Sequence, residues 1–182
     1  MNNKDEAQVI LLNGASSSGK STLAKALQAR LETPYVYLAE DDFWAKLSER
    51  DYPFEVRYRL YYGFLGCIAA LAERGNFLIV DTVADDRDAL LECARLLRPY
   101  RVLFVGVHCA LDVLEEREKA RGDRTPGTAK RQFERVHTHA PYDIEVDTSQ
   151  TDPTDCVEAI LAAQVKSPGA FEKLLRTKTE ET

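Results

Sequence analysis

LLNGASSSGKST, residues 11–22, crowds small residues between an apolar run and a lysine. Gly14-Ala15-Ser16-Ser17-Ser18-Gly19-Lys20-Ser21 fits the pattern G-x-x-x-x-G-K-[ST]. It stands directly after VILLN (9–13) and directly before the helical-period stretch SGKSTLAKALQARL. In that setting glycines let the backbone turn, so that N–H groups between Gly14 and Thr22 and the start of a helix face phosphate oxygens. Lys20 is expected to reach terminal phosphates as a point charge. Ser21 is expected to offer its hydroxyl to Mg²⁺, a hard cation that prefers oxygen ligands.

Further apolar runs follow at YVYLA (35–39), FLIVD (77–81), RVLFVGV (101–107) and DIEVD (143–147). They are short, rich in Val, Ile, Leu and aromatics, and do not alternate throughout, as expected of strands covered on both faces of a parallel sheet. Between them lie EVRYRLYYGFLGCIAALAERG, DRDALLECARLLR, LDVLEEREKARG and TPGTAKRQFERVH, with apolar residues at helical spacing. Gly75 and Gly122 follow basic last turns, and Pro99 follows Leu97, as helix stops do. This pattern predicts a doubly wound α/β fold with a five-stranded parallel sheet and a cleft at the switch beside the first strand.

With 182 residues the chain suits one domain, 1–182, with a core over about 8–165 and a C-terminal appendage at 166–182. The appendage carries one possible amphipathic turn, at Phe171, Leu174 and Leu175, and is expected to be frayed or loosely docked. A composition of 45% hydrophobic and 30% charged residues, with no apolar run near the roughly 20 residues of a membrane span, argues against a membrane protein. The polar start MNNKDEAQ is not a secretory signal, so a cytoplasmic location is expected. A net charge of -6 offers no field to collect nucleic acid, so local groups must hold any small anion. Cys67, Cys93, Cys109 and Cys156 form no C-x-x-C pair and read as buried free thiols of a reducing compartment.

Two acidic sites fall at strand ends. Asp81 closes the third run, on the edge where ligands gather in such sheets, and could hold a metal there through water. Ala39-Glu40-Asp41-Asp42-Phe43 closes the second, and a carboxylate there could align an acceptor hydroxyl and take its proton. Position suits Asp41 or Asp42, and at least one of the two is expected to cap the next helix. Arg117 and Arg121 share a helical face, and Gly122 frees the chain so that Arg124 can swing from a segment ending at Pro126-Gly127. Arginines so placed suit phosphate oxygens. The competing reading is a solvated face laced with Glu115, Glu116 and Glu118.

Val105-Gly-Val-His-Cys109, Glu116-Arg-Glu-Lys-Ala-Arg-Gly-Asp-Arg124, and Val136-His with Tyr142-Asp-Ile-Glu-Val-Asp-Thr148 add a more particular signal. Together with the phosphate loop they resemble the chloramphenicol phosphotransferase family of small P-loop kinases over about residues 8–165. The resemblance implies a three-layer α/β/α P-loop NTPase fold of the nucleoside and shikimate kinase kind. It also implies transfer of the γ-phosphate of ATP to a small-molecule hydroxyl, in that family an antibiotic alcohol, hence a link to antibiotic resistance. The family's catalytic acid falls on Asp41, leaving Asp42 as the cap, and its lid arginines fall on Arg121 and Arg124.

The sequence departs from the family between its second and third strands, where Trp44, Tyr52, Phe54, Tyr58, Tyr61, Tyr62 and Phe64 stand in the segment that would cover the acceptor. Tyr58, Tyr61, Tyr62 and Leu65 recur at helical spacing and read mostly as a core-facing stripe. His137 and His139 read as polar packing near the sheet edge rather than a metal pair. Two other readings stand beside the kinase: a nucleotide-dependent ATPase or switch, and a kinase of another acceptor such as a nucleotide sugar, a nucleoside or an RNA end. Acidic charge disfavours the last, and no nucleic-acid partner is expected.

Overall fold

Neighbouring residues of each buried strand point to opposite faces, so a run that is apolar throughout must be covered twice. The computed structural model describes residues 6–48, 52–121, 127–164 and 169–177. Its elements are β1 (Val9–Asn13), α1 (Lys20–Arg30), β2 (Tyr35–Ala39), α2 (Glu40–Trp44), α3 (Phe54–Glu73), β3 (Phe77–Thr82) and α4 (Arg87–Leu97). They continue with β4 (Val102–His108), α5 (Leu111–Arg121), α6 (Thr128–Phe133), β5 (Ile144–Asp147), α7 (Pro153–Gln164) and α8 (Ala170–Thr177). The described strands form one parallel sheet in the order β2-β3-β1-β4-β5. The doubly wound expectation therefore holds, with the reversal of strand order at β1.

Val9 and Leu11, Leu78 and Val80, and Val102 and Phe104 pack with Phe64, Leu65 and Ile68 of α3 and Leu90, Leu91 and Leu97 of α4. Ile10 and Leu12, Ile79, and Leu103 and Val105 point the other way, onto Leu23 and Leu27 of α1 and Val157 and Ile160 of α7. Each such residue taken out of water contributes about 1.5–3 kcal/mol, so the two faces together hold the three layers.

Local readings change in four places. Residues expected to be frayed or loosely docked instead form α8, with Ala170, Phe171 and Leu174 buried and the Phe171 ring 5.2 Å from that of Phe104. Asp143 does not extend β5 but fastens this helix. Its Oδ1 accepts from Gly169 N at 2.7 Å and Ala170 N at 2.9 Å, while Oδ2 accepts from Phe104 N at 2.9 Å. Cys67 is exposed, whereas Cys93, Cys109 and Cys156 are buried free thiols as expected. The buried stripe of α3 runs through Phe64, Leu65, Ile68 and Ala72, so Tyr61 reaches the core while Tyr58 stays 47% exposed. Tyr58 and Tyr62 stack on each other instead, with centroids 4.2 Å apart.

Candidate active site

Between β1 and α1 the loop takes backbone shapes that its small residues permit. Gly19 has φ 92° and Ser17 has φ 65°, the latter unusual for a residue with a side chain and at home in strained ligand-binding turns. A Cβ on Gly14 would lie 2.4 Å from the Val107 carbonyl oxygen, so β4 presses directly on the loop. No side chain caps α1, which leaves its first N–H groups for an anion. Among the described residues the buried hydroxyls of Ser16, Ser17 and Ser18 have no protein partner, so they are donors that suit phosphate oxygens. Lys20 is only 6% exposed. Its ammonium donates to the carbonyls of Gly14 and Ala15, each at 2.9 Å, and lies 3.6 Å from Asp81.

Asp81 pairs in register with Leu12 on one side and Ala39 on the other, which sets it in the middle of the sheet's carboxyl edge. Its Oδ2 accepts from Ser21 Oγ at 2.6 Å and from Tyr37 OH at 3.2 Å. Burial is the main reason that the Tyr37 phenol is pushed up to about 12, so it acts as a neutral donor. A hydroxyl and a carboxylate in contact are the hard oxygen pair that Mg²⁺ takes, and the serine hydroxyls and Lys20 match a nucleotide's phosphates. Residues fit both groups.

The cleft they line has a volume of about 540 Å³ and also takes in Glu40, Asp41, Arg117 and Arg121. Asp41 is exposed at the start of α2 and faces this space. Asp42 does not cap the helix, because α2 begins at Glu40 with Ala39 at its N-cap, which puts Asp42 inside the first turn. Glu40, which the sequence reading passed over, accepts from Trp44 Nε1 at 2.9 Å, Thr82 Oγ1 at 2.7 Å and Val83 N at 2.9 Å. Burial nonetheless raises its pKa above the usual carboxylate value, outweighing the three hydrogen bonds.

From the other flank Arg117 donates to Thr148 Oγ1 at 3.2 Å and Thr148 O at 3.1 Å, and Thr148 Oγ1 donates to Ser18 O at 2.7 Å. Arg117 thus braces the loop and is not part of a solvated face. Gln132 of α6 accepts from Ser16 N at 2.7 Å. Glu118 is buried as well, accepting from Gly127 N and Ala129 N at 2.8 Å each, so it caps α6 and does not lace the surface. Arg124, with Gly122 and Pro126, lies outside the described residues. Thr148, Gln132 and Glu118 carried no local signal, since each acts on a distant segment. His137 donates or accepts at Tyr142 OH, 2.7 Å away, and stacks on His108 with ring centroids 3.9 Å apart. Burial first, then the charges of His108 and Lys20, lowers the His137 pKa to about 4.

Residues 7–165 match the family described as chloramphenicol phosphotransferase-like proteins. The chain belongs to this family. This chain is a kinase-like phosphotransferase of P-loop fold. Two Mycobacterium tuberculosis proteins, from strains CDC 1551 and H37Rv, carry the name of candidate O-phosphotransferases. Each is 30% identical over 180 residues, covering 80% of the chain and 77% of its own length. Among solved structures, the M. tuberculosis APS kinase in complex with AMPPNP and APS superposes with a TM-score of 0.68. It is 14% identical and covers 87% of this chain and 97% of its own. A gluconokinase from Sinorhizobium meliloti gives a TM-score of 0.59 at 19% identity, covering 96% and 97%. The Deinococcus radiodurans tunicamycin resistance protein gives 0.59 at 20%, covering 85% and 93%. These three likenesses show the shared fold. Among the described residues no helix is long and apolar enough to cross a membrane.

Proposed function

We propose that the chain moves the γ-phosphate of ATP to a hydroxyl of a small molecule, with a chloramphenicol-like antibiotic alcohol as the acceptor to test first. The observation that carries this reading is the single cleft lined together by Lys20, Ser21, Asp81, Asp41 and Arg121. Loop N–H groups and the Ser16, Ser17 and Ser18 hydroxyls hold phosphate oxygens, and Lys20 sets a positive charge beside them. Ser21 and, through water, Asp81 would hold Mg²⁺, which would supply positive charge to offset that of the phosphates. Asp41 aligns the acceptor hydroxyl and takes its proton as the new O–P bond forms and the bond to the β-phosphate oxygen breaks, releasing ADP. Arg121, and Arg124 beyond the described residues, balance the charge spread over the transferring group. Alignment of hydroxyl and phosphate in one cleft lowers most of the barrier.

Incubation with Mg²⁺, γ-labelled ATP and a panel of small alcohols that includes chloramphenicol tests this reading, with Lys20→Ala as control. Label on an organic hydroxyl with the wild type, and none with the variant, is the expected result. Label released only as free phosphate from every mixture would instead favour a hydrolytic switch.

A further inference from the structure

A short helix needs an anchor, and α2 has little of its own. It spans five residues, has no side-chain N-cap, and meets the core through the half-buried Phe43, whose ring lies 4.9 Å from that of Phe64. Isolated helices of this length do not persist in water. Its first residue supplies a second hold, at the end that carries Asp41. One Glu40 oxygen takes the indole N–H of Trp44, a turn further along the same helix, and the other takes the Thr82 hydroxyl and the Val83 N–H at the end of β3. All three partners are neutral, while the charge of Asp41 on the same helix opposes charge on this carboxyl. A partly buried carboxylate without a cation costs folding stability, so its placement calls for another reason.

We propose that Glu40 is a positioning residue: it clips the start of α2 to the residues following Asp81, and so fixes Asp41 at the distance from the phosphate site that transfer requires. This rests on Asp41 as the group that receives the acceptor proton. The clip joins the two walls of the cleft, because Thr82 is the direct neighbour of Asp81 and Asp41 the direct neighbour of Glu40.

Hydrogen-bond chemistry supplies the test. In Glu40→Gln the amide oxygen can still serve Thr82 and Val83, but the NH₂ group then faces the Trp44 N–H, donor against donor. Removing that donor with Trp44→Phe should relieve the conflict. For Glu40→Gln the expected result is a kcat lower by about tenfold to a hundredfold, as for a reacting group moved by an ångström, with the KM for ATP unchanged. Backbone amides over 41–45 should exchange faster with solvent, beginning with Ala45 N, which bonds to Asp41 O at 2.9 Å. In Glu40→Gln/Trp44→Phe both kcat and exchange should return to the values of Trp44→Phe alone. A kcat loss that the second substitution does not reverse would overturn the proposal, because Glu40 would then be receiving the proton itself. Unchanged exchange over 41–45 in Glu40→Gln would overturn it too, and that measurement stands even if the wild type transfers phosphate to no acceptor, the outcome that sinks the kinase reading instead.

Discussion

The phosphate loop and the α2 wall face the same cleft but are held in different ways. Around the loop short contacts gather from the sheet edge and the helices beside it: Lys20 on two loop carbonyls, Ser21 on Asp81, Thr148 on Ser18 O, and Gln132 of α6 on Ser16 N. Beside the wall, at the start of α3, Phe54 is 73% and Tyr58 47% exposed, and α2 meets the core through the half-buried Phe43. The loop suits one ligand chemistry, phosphate, which backbone N–H groups recognise directly. On the proposed reading the wall meets an acceptor whose shape varies, and its contacts with the rest of the fold are fewer. Within one fold, rigidity gathers where the ligand is invariant.

This contrast can be broken first at Lys20. Lys20→Ala removes the cation from beside the phosphates and should lower transfer of label from ATP by about a thousandfold, as loss of a strong electrostatic contact does. Asp41→Asn should act on the other wall alone. It should keep nucleotide affinity, read by titration with a fluorescent ATP analogue, and lose about a hundredfold or more in transfer. Wild-type transfer by that variant would remove Asp41 from the mechanism and undo the division between the two walls.

A third test asks how tightly the rear of the loop is packed. The lowered pKa of His137 means that the folded protein resists a proton which the unfolded chain accepts at about pH 6.5. Its contribution to stability is therefore complete above pH 6.5 and is lost as pH falls from 6.5 towards about 4, below which the loss is constant. In His137→Asn the melting temperature should fall less steeply over that window, and an unaltered slope would place the sensitivity elsewhere. The smallest effect is expected at Tyr58→Ala, which removes the outer partner of the Tyr62 stack. Stacked aromatics contribute about 0.5–1.5 kcal/mol, so the KM for an acceptor should rise no more than about tenfold while that for ATP stays fixed. A change in the ATP value would show that the wall and the loop are not separate.

Legibility followed the range of each interaction. The loop from Gly14 to Ser21, the place of Asp81 near the carboxyl end of β3 and the bounds of β1 and β2 were readable because a turn, a helix start and a buried strand each depend on residues a few positions apart. Asp42 was misread as a cap because the end of β2 and the start of α2 abut with no intervening residue, and pattern alone does not show which residue turns first. Glu118 reads as a surface charge on a polar helix until α6 is folded against it.

The sequence by itself determined that this chain carries a phosphate-binding loop on a parallel α/β sheet, since small residues, a lysine and apolar runs impose those local shapes wherever they occur. Tertiary structure alone decided the rest. It brought Thr148 to Gly19, Gln132 to Ser16 and Asp143 to α8, and it set Glu40 against Thr82. The physical reason is that a hydrogen-bond partner far along the chain leaves no periodicity behind. Such a pair becomes specific only when the sheet register has placed the two segments side by side.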